Sequence, residues 1–347
     1  MAGPLLEIDD LKVDFATDEG TVHAVDGVSF SLESGEVLSI VGESGCGKSV
    51  TAMTILGLTR GTNARIGGSV KYQSKELTSA SDEELQAIRG DRIAMVFQDP
   101  MSSFNPVHKI GDQIVEAIVA HREMDKSAAR KKAVEALKSV GIPEAERRAD
   151  HYPFEFSGGM RQRAMIAMAL ALEPAVLIAD EPSTALDVTI QAQIIELLQD
   201  LNQEHGLSVI LITHDLGVVA EIADRVLVMY AGQVVEQGSL DEIFYDPQHP
   251  YTWGLLGSIA RLDQDRPDRL PQIAGQPPSL LAPPTGCRFA SRCPHAFEKC
   301  SELPALEKRL PKAPAHLDRC WLDPNDKKKL REIEGGRIGL EAPEVAV

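Results

Sequence analysis

The chain has 347 residues, 43% of them apolar and 25% charged, and carries a formal net charge of −17. That length exceeds one average domain and predicts two units, the larger with a substantial hydrophobic core. The acidic balance argues against a nucleic-acid partner, whose phosphates select basic surfaces, and against a polybasic membrane anchor.

The opening stretch MAGPLLEIDDLKVDF shows no basic n-region, apolar h-region or small-residue cleavage site, so no secretory signal is expected. The longest apolar run, in AMIAMALALEPAVLIAD, is broken by Glu173 and Pro174 and is too short to span a bilayer. The expected compartment is therefore a reducing cytosol, where persistent disulfides are rare. Any membrane association should run through a protein partner.

LLEIDDLKVDF and TVHAVDGVSFSL are extended segments, joined through Asp18-Glu19-Gly20 as a hairpin. EVLSIVG follows as a short buried strand. It runs into GESGCGKS, Gly42 to Ser49, which satisfies G-x-x-x-x-G-K-[ST] between a strand signal and a helix signal. In that motif the backbone of Gly42, Glu43, Ser44, Gly45, Cys46 and Gly47 curls its N–H groups around phosphates, and the helix N-terminus adds its dipole. Lys48 supplies positive charge to the β- and γ-phosphates, and the Ser49 hydroxyl serves Mg²⁺. The Cys46 side chain occupies a variable position and is assigned no chemistry. SDEE at Ser81–Glu84 is a capping box that starts a helix.

FSGGMRQR, Phe156 to Arg163, opens another helix with Ser157, Gly158 and Gly159, a second anion-binding N-terminus in the same domain. AVLIADE ends a buried strand in Asp180 and Glu181. Two carboxylates at the mouth of an apolar strand are costly unless a metal or a reaction needs them. Asp180 suits Mg²⁺ coordination, and Glu181 suits a base that polarises an attacking water. The helix over Val188–Glu204 should stop near Gly206. SVILITHD is a further buried strand, VLVMYAGQVVEQG a hairpin turning at Ala231-Gly232, and SLDE at Ser239–Glu242 a second capping box.

From Leu262 to Pro284 proline density favours an extended, semi-rigid connection. Four of the five cysteines then crowd into one window, with spacing C-x5-C-x6-C-x19-C over Cys287, Cys293, Cys300 and Cys320. Four thiolates suit either a structural Zn²⁺ or an iron–sulfur cluster. The gaps contain none of the tight pairs usual for zinc and lean toward a larger core. His295 and His316 could each replace a cysteine in a zinc site, but are expected at the surface. After Trp321 the sequence is polar and poor in aromatics, which predicts a largely solvated tail.

The P-loop, the S-G-G-x-x-Q-R signature and the D-E-P strand, in that order, resemble the nucleotide-binding subunit of an ATP-binding cassette (ABC) transporter. The resemblance implies an α/β fold of the P-loop NTPase type, with a core sheet, an antiparallel β subdomain and an α-helical subdomain over residues 1–260. It also implies a Pro-rich linker at 261–285, a small cysteine-ligated module at 286–322 and a polar tail at 323–347. In that family two domains sandwich two ATP molecules head to tail. Ser157, Gly158, Gly159 and Gln162 of one chain would then face the γ-phosphate held by the other, with STALD, and Asp187 in it, at the dimer seam. Gln98 in VFQDP resembles the glutamine that senses Mg²⁺ and the attacking water. His214 resembles the switch histidine at the γ-phosphate. Phe15 resembles the aromatic that stacks on adenine, with plain core packing as its alternative role.

The segment GQPPSLLAPPTGCRFASRCPHAFEKC is similar to the C-terminal extension of the peptide-importer branch, which includes dipeptide, oligopeptide and nickel systems. The resemblance implies a 4Fe-4S cluster on the four cysteines. It implies a second ATPase subunit, identical or paralogous, two transmembrane permease subunits and, indirectly, an extracytoplasmic substrate-binding protein. The chain is then expected at the cytoplasmic face of the membrane, energising peptide import. The alternatives are a nickel importer of the same branch and a soluble, non-transport ATPase of the superfamily. The acidic charge and the single cassette disfavour the soluble one.

Overall fold

The computed structural model describes residues 3–99, 103–183, 187–258, 273–310, 313 and 315–333. The strands in chain order are β1 (Leu6–Thr17), β2 (Gly20–Leu32), β3 (Val37–Val41), β4 (Ala64–Tyr72), β5 (Lys75–Glu76), β6 (Ile93–Val96) and β7 (Val176–Asp180). They continue with β8 (Ser208–Thr213), β9 (Arg225–Tyr230), β10 (Gln233–Ser239), β11 (Glu307–Lys308) and β12 (Leu317–Asp318). One sheet is antiparallel with order β2-β1-β4-β5; the other has order β11-β12-β10-β9-β3-β8-β7-β6. In the second, β9, β3, β8, β7 and β6 run parallel, while β10, β12 and β11 close one edge antiparallel.

The helices are α1 (Lys48–Ile55), α2 (Asp82–Ile88), α3 (Ile110–His121), α4 (Lys126–Ser139), α5 (Ala145–Arg148) and α6 (Gly158–Leu170). Then come α7 (Val188–His205), α8 (Leu216–Ile222), α9 (Leu240–Tyr245), α10 (Pro250–Gly257) and α11 (Pro324–Ile333). Both capping boxes form, at Ser81 and Ser239, and Gly206 ends α7 with a left-handed φ of 65°. Ala231 and Gly232, with φ of 46° and 84°, make the tight β9–β10 turn.

Alternation along β7 explains why the parallel strands are apolar on both faces over most of their length. Leu177 and Ala179 face a core shared with α3, α4 and α6, while Val176 and Ile178 face a second core beneath the antiparallel sheet and α1. A third cluster, around Tyr230, Tyr251 and Phe289, takes in the partly buried Cys287 and Cys293. The cysteine segment is thus not set apart from the body: β12 pairs with β10 and so extends the main sheet.

Two expectations need correction. The tail is not solvated on every side: Pro324–Ile333 forms α11, with Asn325, Lys328 and Glu332 exposed but one side packed inward. Lys327 on it is fully buried and pairs with buried Asp318 at 2.6 Å, and Arg331 pairs with Asp246. Burial pushes the Asp318 carboxyl up to about 6 against the pull of Lys327. His316 is not at the surface either. It is buried and meets the buried Glu236 carboxylate at 2.7 Å. A polar composition suggested solvation, whereas mutual pairing lets these charges enter the interior. The first part of the Pro-rich connection, the whole of the tail beyond 333, and Thr184, Ala185 and Leu186 of STALD lie outside the described residues.

Candidate active site

The P-loop leaves the C-terminal end of β3, which lies between β9 and β8 in the parallel part of the sheet, and enters α1. This strand end is where open α/β sheets place their ligands. Gly42 and Gly47 have φ of 152° and 105°; a Cβ there would lie 2.2 Å from the Met229 carbonyl oxygen and 2.4 Å from that of Ala24. No other residue fits at these two points. Lys48 is buried, and its Nζ donates to the carbonyls of Gly42 (2.7 Å) and Glu43 (3.1 Å). Ser44 and Gly45 form the exposed crest, while the Cys46 thiol is buried among core residues.

The end of β7 lies beside this loop. The Ser49 hydroxyl lies beside the Asp180 carboxylate and favours its charged form, and the buried Oδ1 of Asp180 has no hydrogen-bond partner. Burial raises the Asp180 carboxyl above its ordinary range, and the neighbouring Glu181 adds to the rise. A buried carboxylate oxygen with spare capacity, next to a hydroxyl, fits the hard oxygen-donor preference of Mg²⁺.

Glu181 has a left-handed φ of 47°, a strained value for a residue that bears a Cβ. Its carboxylate accepts from Gln98 Nε2 at 2.9 Å and lies 3.4 Å from His214 Nδ1. Gln98, Glu181 and His214 thus come together from three segments, with Gln98 and His214 exposed and Glu181 largely sheltered. Such strain collects at functional sites because the surroundings must over-determine it.

The signature residues sit elsewhere. Ser157 caps α6 by accepting from the Met160 N–H at 3.3 Å. A Cβ on Gly159 would come within 2.7 Å of Ile190 Cγ2, so Gly159 permits the close approach of α7. Gln162 is buried behind them, and Asp187 caps α7 through the Ile190 N–H. Among the described residues no hydrogen bond joins Ser157–Arg163 to the P-loop of the same chain. Phe15, on β1 opposite Val22, is half-buried against the core under the antiparallel sheet.

Cys287, Cys293, Cys300 and Cys320 are all free thiols and line one small cavity with His249, His295 and Trp321. A backbone bond from the Cys287 N–H to the Cys300 carbonyl, 2.9 Å, ties two of them together. Burial pushes the Cys293 thiol up to about 12, with the other three cysteines adding to the rise, and the Cys320 thiol up to about 11. Among the described residues, however, no three His, Cys, Asp or Glu side chains converge closely enough to hold a single ion.

Sequence reasoning missed two arginines beside these cysteines. Arg288 donates to the Ala231 carbonyl and pairs with Asp26. Arg292 pairs with Glu43 of the P-loop. Nothing in the local sequence marks either, because their partners lie far upstream.

Residues 25–184 match the ABC transporter family, and residues 235–300 match the C-terminal region of oligopeptide/dipeptide transporters. The dipeptide transport ATP-binding protein DppD of Bacillus subtilis is 52% identical over 319 residues, covering 92% of this chain and 94% of that protein. The oligopeptide transport ATP-binding protein OppD of Salmonella typhimurium is 52% identical over 320 residues, with coverage of 92% and 94%. Among solved structures, the dimeric post-hydrolysis state of the ATP-binding cassette MJ0796 bound to ADP and Pi superposes with a TM-score of 0.61 at 32% identity, covering 68% of this chain and 98% of that one. The chain belongs to the ABC transporter ATP-binding subunits of the dipeptide/oligopeptide importer family.

Proposed function

We propose that the chain hydrolyses ATP to drive peptide import through a membrane permease, as the dipeptide and oligopeptide transport names of its relatives suggest. The observation that carries the catalytic reading is the meeting of Gln98, Glu181 and His214 beside the Ser49–Asp180 contact. Lys48 and the loop N–H groups would bind the β- and γ-phosphates. Ser49 and Asp180 would hold Mg²⁺, which neutralises phosphate charge when bound. Glu181 takes a proton from the attacking water, Gln98 orients that water, and His214 contacts the γ-phosphate. Phe15 would stack on adenine. Ser157, Gly158, Gly159, Gln162 and Asp187 would act on the nucleotide of a partner cassette. The separation of the signature from its own P-loop favours this, as does the dimeric state named for MJ0796.

The partners are then a second ATPase subunit, identical or paralogous, two permease subunits and an extracytoplasmic binding protein. No helix among the described residues is long and apolar enough to cross a membrane, so attachment at the cytoplasmic face would run through the permeases. Deleting the gene should abolish uptake of labelled di- and oligopeptides, and a plasmid copy should restore it. Undiminished peptide uptake with reduced nickel uptake would replace this reading with the nickel one.

We further propose a 4Fe-4S cluster on Cys287, Cys293, Cys300 and Cys320, with a structural role. Four sulfur donors around one cavity support it. Burial favours the neutral thiols, so a bound cation would be needed to hold them as thiolates. Protein purified without oxygen should be brown, with about four iron and four sulfide per chain. Cys293→Ser should bleach it and speed proteolysis of the C-terminal segment. Colourless protein holding one zinc per chain would overturn the cluster.

A further inference from the structure

Glu43 occupies the second position of the phosphate-binding loop, and its carboxylate is an awkward neighbour for a polyphosphate. Arg292 meets it with a two-pronged contact, Nη1 to Oε2 at 2.7 Å and Nη2 to Oε1 at 3.0 Å. The fork geometry makes this the strong form of an ion pair. The Arg292 side chain is only 4% exposed. Its other donors are engaged as well, to the Ala274 carbonyl (3.0 Å), the Ile273 carbonyl (3.1 Å) and the Tyr230 hydroxyl (3.2 Å). The guanidinium therefore has little freedom to turn away.

Glu43 is gripped from its backbone too, where its N–H donates to the Tyr251 hydroxyl at 2.9 Å. Tyr251 and Tyr230 pack with Phe289 in one aromatic cluster of tilted and edge-to-face rings, with ring centroids 4.6 to 5.4 Å apart. Phe289 belongs to the same cysteine segment as Arg292. On the other side of the loop, Arg288 binds the carbonyl of Ala231, and the next residue, Gly232, donates to the Cys46 carbonyl at 2.9 Å. The C-terminal segment thus holds the P-loop at both flanks. The carbonyls of Gly42 and Glu43 that receive Lys48 lie directly in the gripped stretch.

We infer that Arg292 is a positioning residue of the nucleotide site, neutralising and orienting Glu43 so that ATP affinity depends on the docked cysteine segment. The inference rests on the ATP-binding reading above. It acts through charge as well as through shape, and this separates it from a role in folding alone. Without Arg292 an unpaired carboxylate sits in the phosphate loop, and removing that carboxylate should remove most of the penalty.

The test is a double-mutant cycle on the full chain, with the Kd of a fluorescent ATP analogue as the readout. Arg292→Gln should weaken binding about tenfold, within the range by which such couplings act. In a Glu43→Gln background the same change should cost less than about threefold. Arg331→Ala, which frees α11 from Asp246 without touching the loop, should bind within about twofold of the parent. If Arg292→Gln does not fold, as judged by thermal unfolding without nucleotide, Arg292→Lys carries the same comparison. It keeps the charge but not the fork, so a smaller loss should again vanish with Glu43→Gln. Parent-like affinity, an equal loss in both backgrounds, or an equal loss in Arg331→Ala each overturns the inference. A parent chain that binds no ATP analogue would instead overturn the nucleotide reading itself.

Discussion

Glu181→Gln is expected to bind ATP yet turn it over ~10²–10⁴-fold more slowly, the usual effect of removing a general base. The substitution is nearly isosteric, so the left-handed backbone at 181 and the fit beside Gln98 and His214 should survive. What disappears is the ability to accept a proton from water. A nucleotide sandwich that closes on ATP but cannot hydrolyse it should accumulate as a stable dimer. Single-turnover ATPase assays and gel filtration with and without ATP check both halves. Turnover within about twofold of the parent would remove Glu181 from the role of base.

A second large effect is expected from Lys48→Ala, which removes the buried ammonium proposed above to bind the phosphates. Loss of a preorganised charge in such a site typically costs about 10²–10³-fold in rate. Ser157→Ala should be comparably damaging, and in addition it removes the α6 cap, worth about 1 kcal/mol. The two lesions should complement when mixed. In a mixed dimer one composite site carries both changes, while the other joins an intact P-loop to an intact signature. Partial activity should return, and with a paralogous partner the two changes are placed on different subunits. Failure to complement in either format would mean that each nucleotide site is built within a single chain.

How much of this was legible in sequence follows from the range of the interactions involved. A P-loop is a local device: Gly42, Gly47 and Lys48 act through the backbone of eight consecutive residues and the helix that follows, so one stretch of sequence carries the whole chemistry. The same holds for the Ser157 cap, the Ser81 and Ser239 capping boxes and the apolar strands. Bringing Glu181 together with Gln98 and His214 needed more. Neither pairing is local, and it was anticipated by likeness to a family rather than by spacing.

The C-terminal third reads differently in three dimensions because its side chains find partners that no local pattern announces. Lys327 looks solvated in a polar run, yet Asp318 neutralises it in the interior. His316 looks like a surface residue, yet it meets Glu236 on a strand of the main sheet. Arg292 reaches across 249 residues of sequence to Glu43. The sequence by itself determined the nucleotide chemistry, since that chemistry is written in contiguous backbone and in helix termini. Only the tertiary structure decided that the cysteine segment grips the phosphate loop, because Arg292 and Glu43 lie 249 residues apart and meet only once packing has brought their segments together.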